Sequence, residues 1–305
     1  MKEIFYIDRE SKERKKEAVY GEKALLFLYS DKWHVKLISK PILAVICRFH
    51  LFSRIYGWIQ KKSSTKKKVK PFIQKFCLNE KEFAKNNFTS FNDFFTRKLV
   101  PSARPIDLDQ NVAIMPADGR YLAYQSFDDV KKIFVKGENF TLSEFLKDGL
   151  LAEKYSKGTI VIARLCPIDY HRFHFPFDCT PDMPKYINGK LHSVNPIALW
   201  KNIKYLSENK RVVTKLKSEK FGEVLFVEIG AVNVGSIHQT FSPNSHQKKG
   251  KEKGYFSFGG SCIVMLFEPE KIKIDQDLLD ASYKKIEVYA KMGQSLGKAG
   301  TNRAL

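Results

Sequence analysis

Four side chains in this sequence are of the types that move protons and attack carbonyls: Asp118 in "MPADGR", His171 and His174 in "DYHRFHFPF", and Ser261 in "FGGSC". A serine hydroxyl is a weak nucleophile until a base takes its proton, and a carboxylate can hold that base in the required tautomer. An acid, an imidazole and a hydroxyl therefore make a workable set, and the chain order Asp, His, Ser is compatible with it. Each piece alone has a plainer reading. An Asp-Gly pair is usually a turn, a histidine among aromatics is usually a packed one, and Gly-Gly-Ser is often a bulge or bend. The Gly-x-Ser-x-Gly elbow of serine hydrolases is absent, because Ser261 is followed by Cys262 and Ile263. A regular strand would aim positions 171 and 174 at opposite faces, so a shared site requires the chain to turn there.

The elements that must carry these residues are legible as texture. From about residue 111 the chain breaks into short β-rich runs, among them "RYLAYQSF", "GTIVIARL", "EVLFVEIG" and "CIVMLFE", separated by Gly, Pro, Asp and Asn. This predicts an α+β protein: a mainly antiparallel β sandwich or barrel-like body over 111–305, with an N-terminal amphipathic helical segment within 1–110. Thr141 and Glu144 form a capping box for a short helix at "TLSEFLKD". Further helices are predicted over "NPIALWKNIKYLSE" and over "DLLDASYKKIEVYAKMG", the latter stopped by Gly293. Nearer the N-terminus, Ile42, Val45, Ile46, Phe49, Phe52, Ile55, Tyr56 and Ile59 form one apolar stripe on a helix begun by Pro41. The stretch "KKSSTKKKVK" (61–70) reads as an exposed linker.

Composition narrows the partners. The chain of 305 residues carries 53 Lys+Arg against 33 Asp+Glu, a net charge of +20. The excess is concentrated, since no acidic residue occurs from Lys32 to Asn79. Such a balance points to a polyanion, either nucleic acid or an anionic membrane surface. Five cysteines, odd in number and without a CxxC pair, argue against a disulfide framework or a thiolate zinc site and for a reducing compartment. The start of the chain lacks the apolar core of a secretory signal. "PILAVIC" is far shorter than the roughly 20 residues a membrane-spanning helix needs.

Taken together, the motifs resemble phosphatidylserine decarboxylase, a family of pyruvoyl-dependent lyases. The resemblance begins at "DRES…EAVYGEKAL" and continues through "FNDFFTRKLVPSARPID", "MPADG", "CPIDYHRFHFP", "GKLHSVNP", "NKRVV" and "VEIGAVNVGSI". It closes with "KKGKEKGYFSFGGSCIVMLFE". It implies a proenzyme that cuts itself between Gly260 and Ser261 into residues 1–260 and 261–305, Ser261 becoming a covalent pyruvoyl group. Gly259 and Gly260 would let the backbone adopt the strained shape that exposes a carbonyl to the neighbouring hydroxyl. By resemblance His174 is the general base of that attack, Asp118 orients it, and His171 is a proton donor or polar contact during decarboxylation.

The implied substrate is phosphatidylserine, converted to phosphatidylethanolamine through a Schiff base to the ketone, which accepts the electrons that carbon dioxide leaves behind. The implied cofactor is therefore the pyruvoyl group alone, with no metal. The implied partners are anionic membrane phospholipid and an α/β heterodimer of the two products, with no nucleic acid and with a homodimer left open. The same reading makes the protein peripheral, on the cytoplasmic side of the cell membrane, its basic segment with Arg48, Arg54 and Lys61 facing anionic lipid. Cys262 departs from the family, which more often has Thr or Ser there, and a thiol beside the modified residue bears on maturation. The competing reading is an uncleaved lipid- or nucleic-acid-binding basic protein without decarboxylase activity.

Overall fold

The computed structural model describes residues 3–48, 50–129, 140–199, 201–231, 236–259 and 261–300. Gly260 and Phe49 lie outside them, as do the side chains of residues 48–54. Among the described residues the strands are β1 (Phe5–Asp8), β2 (Arg14–Lys16), β3 (Val112–Ile114), β4 (Gly119–Tyr124), β5 (Thr159–Leu165), β6 (Arg172–His174), β7 (Thr180–Pro181) and β8 (Lys185–Ile187). They continue as β9 (Arg211–Ser218), β10 (Gly222–Gly230), β11 (Ile237–Gln239), β12 (Glu252–Phe256), β13 (Ser261–Phe267), β14 (Ile272–Ile274), β15 (Glu287–Ala290) and β16 (Ser295–Ala299).

One large sheet runs in the order β2-β1-β15-β4-β5-β13-β10-β9-β7, with β8 also pairing β9. Every pairing in it is antiparallel except β1 with β15. The central strands β5, β13 and β10 are apolar at almost every position because both faces are covered. On one face Ala163, Ile263, Met265 and Phe226 pack with Phe173, Phe175 and Phe256 of the small sheet β11-β12-β6. On the other, Ile162, Val264, Leu266 and Leu225 pack with Phe145, Leu146 and Ala152 from the helices Leu142–Leu146 and Gly149–Lys154. The class is α+β, as expected; the large sheet remains open at β2 and β7, so the barrel-like option is set aside.

The N-terminal part contributes α1 (Glu22–Leu28), α2 (Trp33–Arg48), α3 (His50–Lys61), α4 (Val69–Phe76) and α5 (Phe91–Phe95). Pro41 does not begin a helix but sits inside α2, so the predicted stripe is divided between α2 and α3. The lysine-rich stretch is no linker. Ser63–Lys68 forms a 3-10 turn, and the buried Thr65 hydroxyl donates to Gln60 and Lys62 carbonyls and accepts from the Phe91 N–H at 2.9 Å. One threonine thus ties a charged surface turn to α5.

The N-cap at Thr141 is present, its hydroxyl accepting from Glu144 N–H at 3.2 Å. Two other helices differ from expectation. In the tail the helix covers only Gln276–Tyr283; Lys285 takes a positive φ of 59°, and Glu287–Ala290 enters the large sheet as β15. There Val288 and Ala290 are buried, a period of two that the longer helical pattern obscured. In "NPIALWKNIKYLSE" two short helices form, Pro196–Leu199 and Tyr205–Glu208. Asn195 and Asn202 cap backbone N–H groups at Ile197 and Lys204, competing with a continuous helix.

Phe226 is fully buried on the central sheet. Phe226→Ala should lower unfolding free energy by about 3–5 kcal/mol, read as an earlier midpoint in urea.

Candidate active site

Ser261 is the first residue of β13, opposite Leu165 on β5 and Gly230 on β10. Alternation puts its side chain on the same face as Ile263 and Met265, the face covered by β6 and β12. Cys262 points to the opposite face, among Val264 and Leu266. The Ser261 hydroxyl is buried and has no hydrogen-bond partner among the described residues.

The loop before Ser261 is held from α5. Asn92 Oδ1 accepts from Phe258 N–H at 3.1 Å, and the Phe258 ring lies 5.1 Å from Phe91 and 4.9 Å from Phe95. Ser90 caps α5 by accepting from Asp93 N–H at 3.1 Å, which explains why "FNDFF" forms a helix where it is needed. Gly259 has a φ of 142°, a backbone shape that side-chain-bearing residues rarely adopt. The expected scissile partner, Gly260, lies outside the described residues.

His171 stacks on Phe95 with ring centroids 3.9 Å apart. It precedes β6, and its Nδ1 lies 2.9 Å from the Asp169 carbonyl. A carbonyl only accepts, so the proton is on Nδ1 and Nε2 carries the lone pair. That Nε2 is buried without a partner among the described residues. Full burial pushes the His171 pKa down to about 3. His174 lies on β6, its N–H donating to the Pro116 carbonyl at 2.8 Å, which sets it beside the turn that carries Asp118. Its Nδ1 has no partner among the described residues. Burial pushes its pKa down to about 4, opposed by the carboxylates of Glu252 and Asp118. His171 lies just before the strand and His174 is its last residue.

Asp118 is more heavily engaged than its role as an orienting residue implied. Arg104 grips both carboxylate oxygens at 2.8 and 2.6 Å, and Met292 N–H donates to one of them at 2.9 Å. Arg104 also reaches Glu82 at 2.8 Å. Among the described residues no hydrogen bond joins Asp118 to a histidine or either histidine to Ser261; Asp118 acts on His174 through its field. The structure thus gathers His174 with Asp118, and His171 with the Phe258 loop.

A cavity of about 190 Å3 abuts this loop, lined by Leu25, Leu43, Leu165, Phe258 and Gly259, with Asn195 among its polar atoms. No group of three or more His, Cys, Asp and Glu side chains among the described residues could hold a metal ion. The family profile of phosphatidylserine decarboxylase matches residues 91–298, the span that contains all four candidate residues. The chain belongs to the phosphatidylserine decarboxylase family.

The relatives of this decarboxylase family cover nearly the whole chain. The phosphatidylserine decarboxylase proenzyme of Chlamydia pneumoniae is 48% identical over 296 residues, 96% of this chain and 97% of its own. That of Chlamydia caviae is 47% identical over 301 residues, 98% of this chain and 99% of its own. That of Chlamydia felis is 45% identical over 301 residues, with the same coverage. Sequence reasoning missed Arg104, Asp169, Phe95 and Phe258 as parts of the site. All four lie inside the motifs quoted for the resemblance, yet only folding shows which atoms they touch.

Both histidines are neutral when folded near pH 7 but take up protons near the ordinary 6.5 when unfolded. Between that value and their folded values the unfolded state binds more protons, so stability falls as pH drops from about 6.5 towards about 4 and is flat above. Each ring adds about 1.4 kcal/mol per pH unit to that slope. In urea titrations of a Ser261→Ala chain, replacing His174 with Asn should reduce the slope by that amount. An unchanged slope would mean that His174 is already charged in the fold.

Proposed function

We propose that this chain is a proenzyme that cuts its own backbone between Gly260 and Ser261, and that the product decarboxylates phosphatidylserine to phosphatidylethanolamine. The observation that carries this reading is the buried Ser261 hydroxyl, without a hydrogen-bond partner among the described residues, on the sheet face that looks toward the histidine segment. A buried hydroxyl ordinarily finds a partner, so one left free is available for chemistry. Membership of the family and the proenzyme names of its relatives support the same reading.

In this mechanism Ser261 Oγ attacks the Gly260 carbonyl carbon, and its proton passes to a neutral imidazole. His174 suits that task, because its lowered pKa leaves a lone pair at neutral pH and the field of Asp118 favours the cation that forms. The amide nitrogen of Ser261 leaves that carbon with a proton, giving an ester. Loss of the Ser261 α-proton and of the Gly260 carboxylate leaves an unsaturated residue, which water converts to a ketone with release of ammonia. That pyruvoyl ketone supplies the electron sink that decarboxylation of an α-amino acid requires. His171 presents Nε2 as an acceptor, because the Asp169 carbonyl occupies its Nδ1–H. It can therefore hold a proton from the substrate ammonium and return it to the α-carbon once carbon dioxide has left.

Cleavage need not release the small product. Segment 261–305 supplies β13 between β5 and β10, β15 between β1 and β4, and β16 beside β3, so the two pieces form a heterodimer. Mass spectrometry should find fragment 261–305 with a blocked N-terminus, co-purifying with residues 1–260 in native buffer and separating in denaturant. Ser261→Ala should remain one chain without decarboxylase activity. An intact chain in an active preparation would overturn the assignment.

The same reading makes the protein peripheral to a membrane. No helix among the described residues is long and apolar enough to cross one. α2 instead presents Trp33, Leu37, Ile38, Ile42 and Val45 outward, Trp33 being 75% and Leu37 69% exposed, with exposed Lys32, Lys36 and Lys40 alongside. Exposed tryptophan and leucine flanked by lysine suit the headgroup layer of an anionic bilayer. Leu43 of this helix also lines the cavity beside Gly259. Replacing both Trp33 and Leu37 with Ser should markedly reduce co-sedimentation with vesicles containing anionic lipid, and added salt should weaken binding of the unaltered protein. Unchanged binding in both cases would discard this orientation.

A further inference from the structure

Five charged groups apart from Asp118 and the histidines form one buried string, Asp169–Arg120–Glu17–Arg164–Glu287. Arg120 on β4 and Arg164 on β5 are direct cross-strand partners, each only 2% exposed. Like charges opposed across two strands repel, and a guanidinium cannot shed its proton to escape. The carboxylate between them is Glu17. Its Oε2 lies 3.2 Å from Arg120 Nε and 2.5 Å from Arg164 Nη2, and its Oε1 lies 3.1 Å from Arg164 Nη1. At the outer ends Arg120 donates to Asp169 at 2.5 Å, and Arg164 Nε donates to Glu287 at 3.0 Å.

The three carboxylates come from three parts of the molecule. Glu17 directly follows the β1-β2 hairpin, Glu287 opens β15 within segment 261–305, and Asp169 lies in the turn that leads into His171. Asp169 reads the string out. Its carboxylate accepts from Arg120 and from the Cys166 N–H at 2.6 Å, while its own carbonyl takes the Nδ1–H of His171. The turn that orients His171 is thus anchored to Arg120, and Arg120 to Glu17. The hairpin is itself fastened to the same end of the chain, Arg9 bridging Asp275 and Asp277 at 2.8 Å each.

We propose that Glu17 is a positioning residue for self-processing: delivered by the N-terminal hairpin, its carboxylate reconciles Arg120 with Arg164 and so fixes the turn that leads through His171 into β6 and His174, the base of the attack. This rests on the self-cleavage reading above and names a residue that governs it without touching the reacting atoms. Removing the central anion leaves two buried cations face to face, which is strongly unfavourable. The guanidiniums then move apart and carry the Asp169 turn with them.

The test follows the appearance of fragment 261–305 from the full chain made by cell-free synthesis, on denaturing gels over time. Glu17→Gln should slow it roughly ten- to a hundredfold, the penalty of a small misplacement, and Glu17→Asp should recover part of the rate. Combining Glu17→Gln with Arg164→Gln removes one of the opposed cations and leaves Arg120 with Asp169, so this double variant should cleave faster than Glu17→Gln alone. It also serves should the single variant fail to fold. In a Ser261→Ala background, hydrogen exchange at the Tyr170 and His171 amides should rise with Glu17→Gln and fall back in the double variant. Normal cleavage by Glu17→Gln, or equally slow cleavage by the single and double variants, would overturn this inference alone. Absence of the fragment from the unaltered chain would instead overturn the self-cleavage reading and the inference with it.

Discussion

The rest of this structure is arranged around one enclosed hydroxyl, that of Ser261, which has no hydrogen-bond partner among the described residues. Ser261 sits at the head of the central strand β13, where β5 and β10 flank it and both faces of the sheet are covered. Burying a hydroxyl without a partner costs about 1–3 kcal/mol, and His171 Nε2 and His174 Nδ1 are likewise buried without partners among the described residues. A fold tolerates such atoms only where surrounding contacts over-determine the backbone. Here those contacts are the apolar run Cys262–Phe267 of β13 and the Phe91, Phe95 and Phe258 cluster, which holds the Phe258 segment from a separate layer.

Charge is organised on the same principle of separation. The cationic excess lies outside, along α2 to α4, whereas the guanidiniums of Arg104, Arg120 and Arg164 inside each meet carboxylates. Arg97 is the informative contrast. It has no carboxylate partner among the described contacts, donates to the Ile168 and Asp169 carbonyls, and lies over the rings of Phe83 and Phe94 at 5.0 and 4.8 Å. Burial pushes its pKa down to about 10, still charged at neutral pH. Its positive field helps keep His171 neutral, after burial itself. Burial and this field together hold the His171 imidazole unprotonated, against the Asp169 carbonyl, which favours its cation.

How much of this was legible in the chain depended on the range of the interaction. Thr141 and Glu144 predicted a cap because the capping hydrogen bond spans three residues. The strands of the central sheet were legible from apolar, β-branched runs bounded by turn formers. The strand at Glu287–Ala290 was not, because "DLLDASYKKIEVYAKMG" has helical spacing along its length and only pairing with β1 and β4 selects the shorter period. Thr65 hid inside a lysine-rich stretch, since its partner at Phe91 is remote in sequence. Asp118 was found as a type and a position, but its engagement with Arg104 and Met292 N–H joins segments that no local pattern connects. The division at residue 110 likewise could not reveal that β1 and β2 belong to the large sheet.

Cys262 shows how a single geometric fact can settle a chemical question. A thiol beside the nucleophilic serine would compete with it if both side chains faced the same way, because thiolate is the better nucleophile. Alternation along β13 sends them to opposite faces, Ser261 toward β6 and Cys262 into the core beside Val264 and Leu266. Complete burial there pushes the thiol pKa up to about 12, so it is protonated at neutral pH and behaves as a small apolar side chain. A one-residue slip in the pairing of β13 with β5 would exchange the two. The register that pairs Ser261 with Leu165 is therefore what puts the hydroxyl on the face covered by β6 and β12 and the sulfur among Val264 and Leu266.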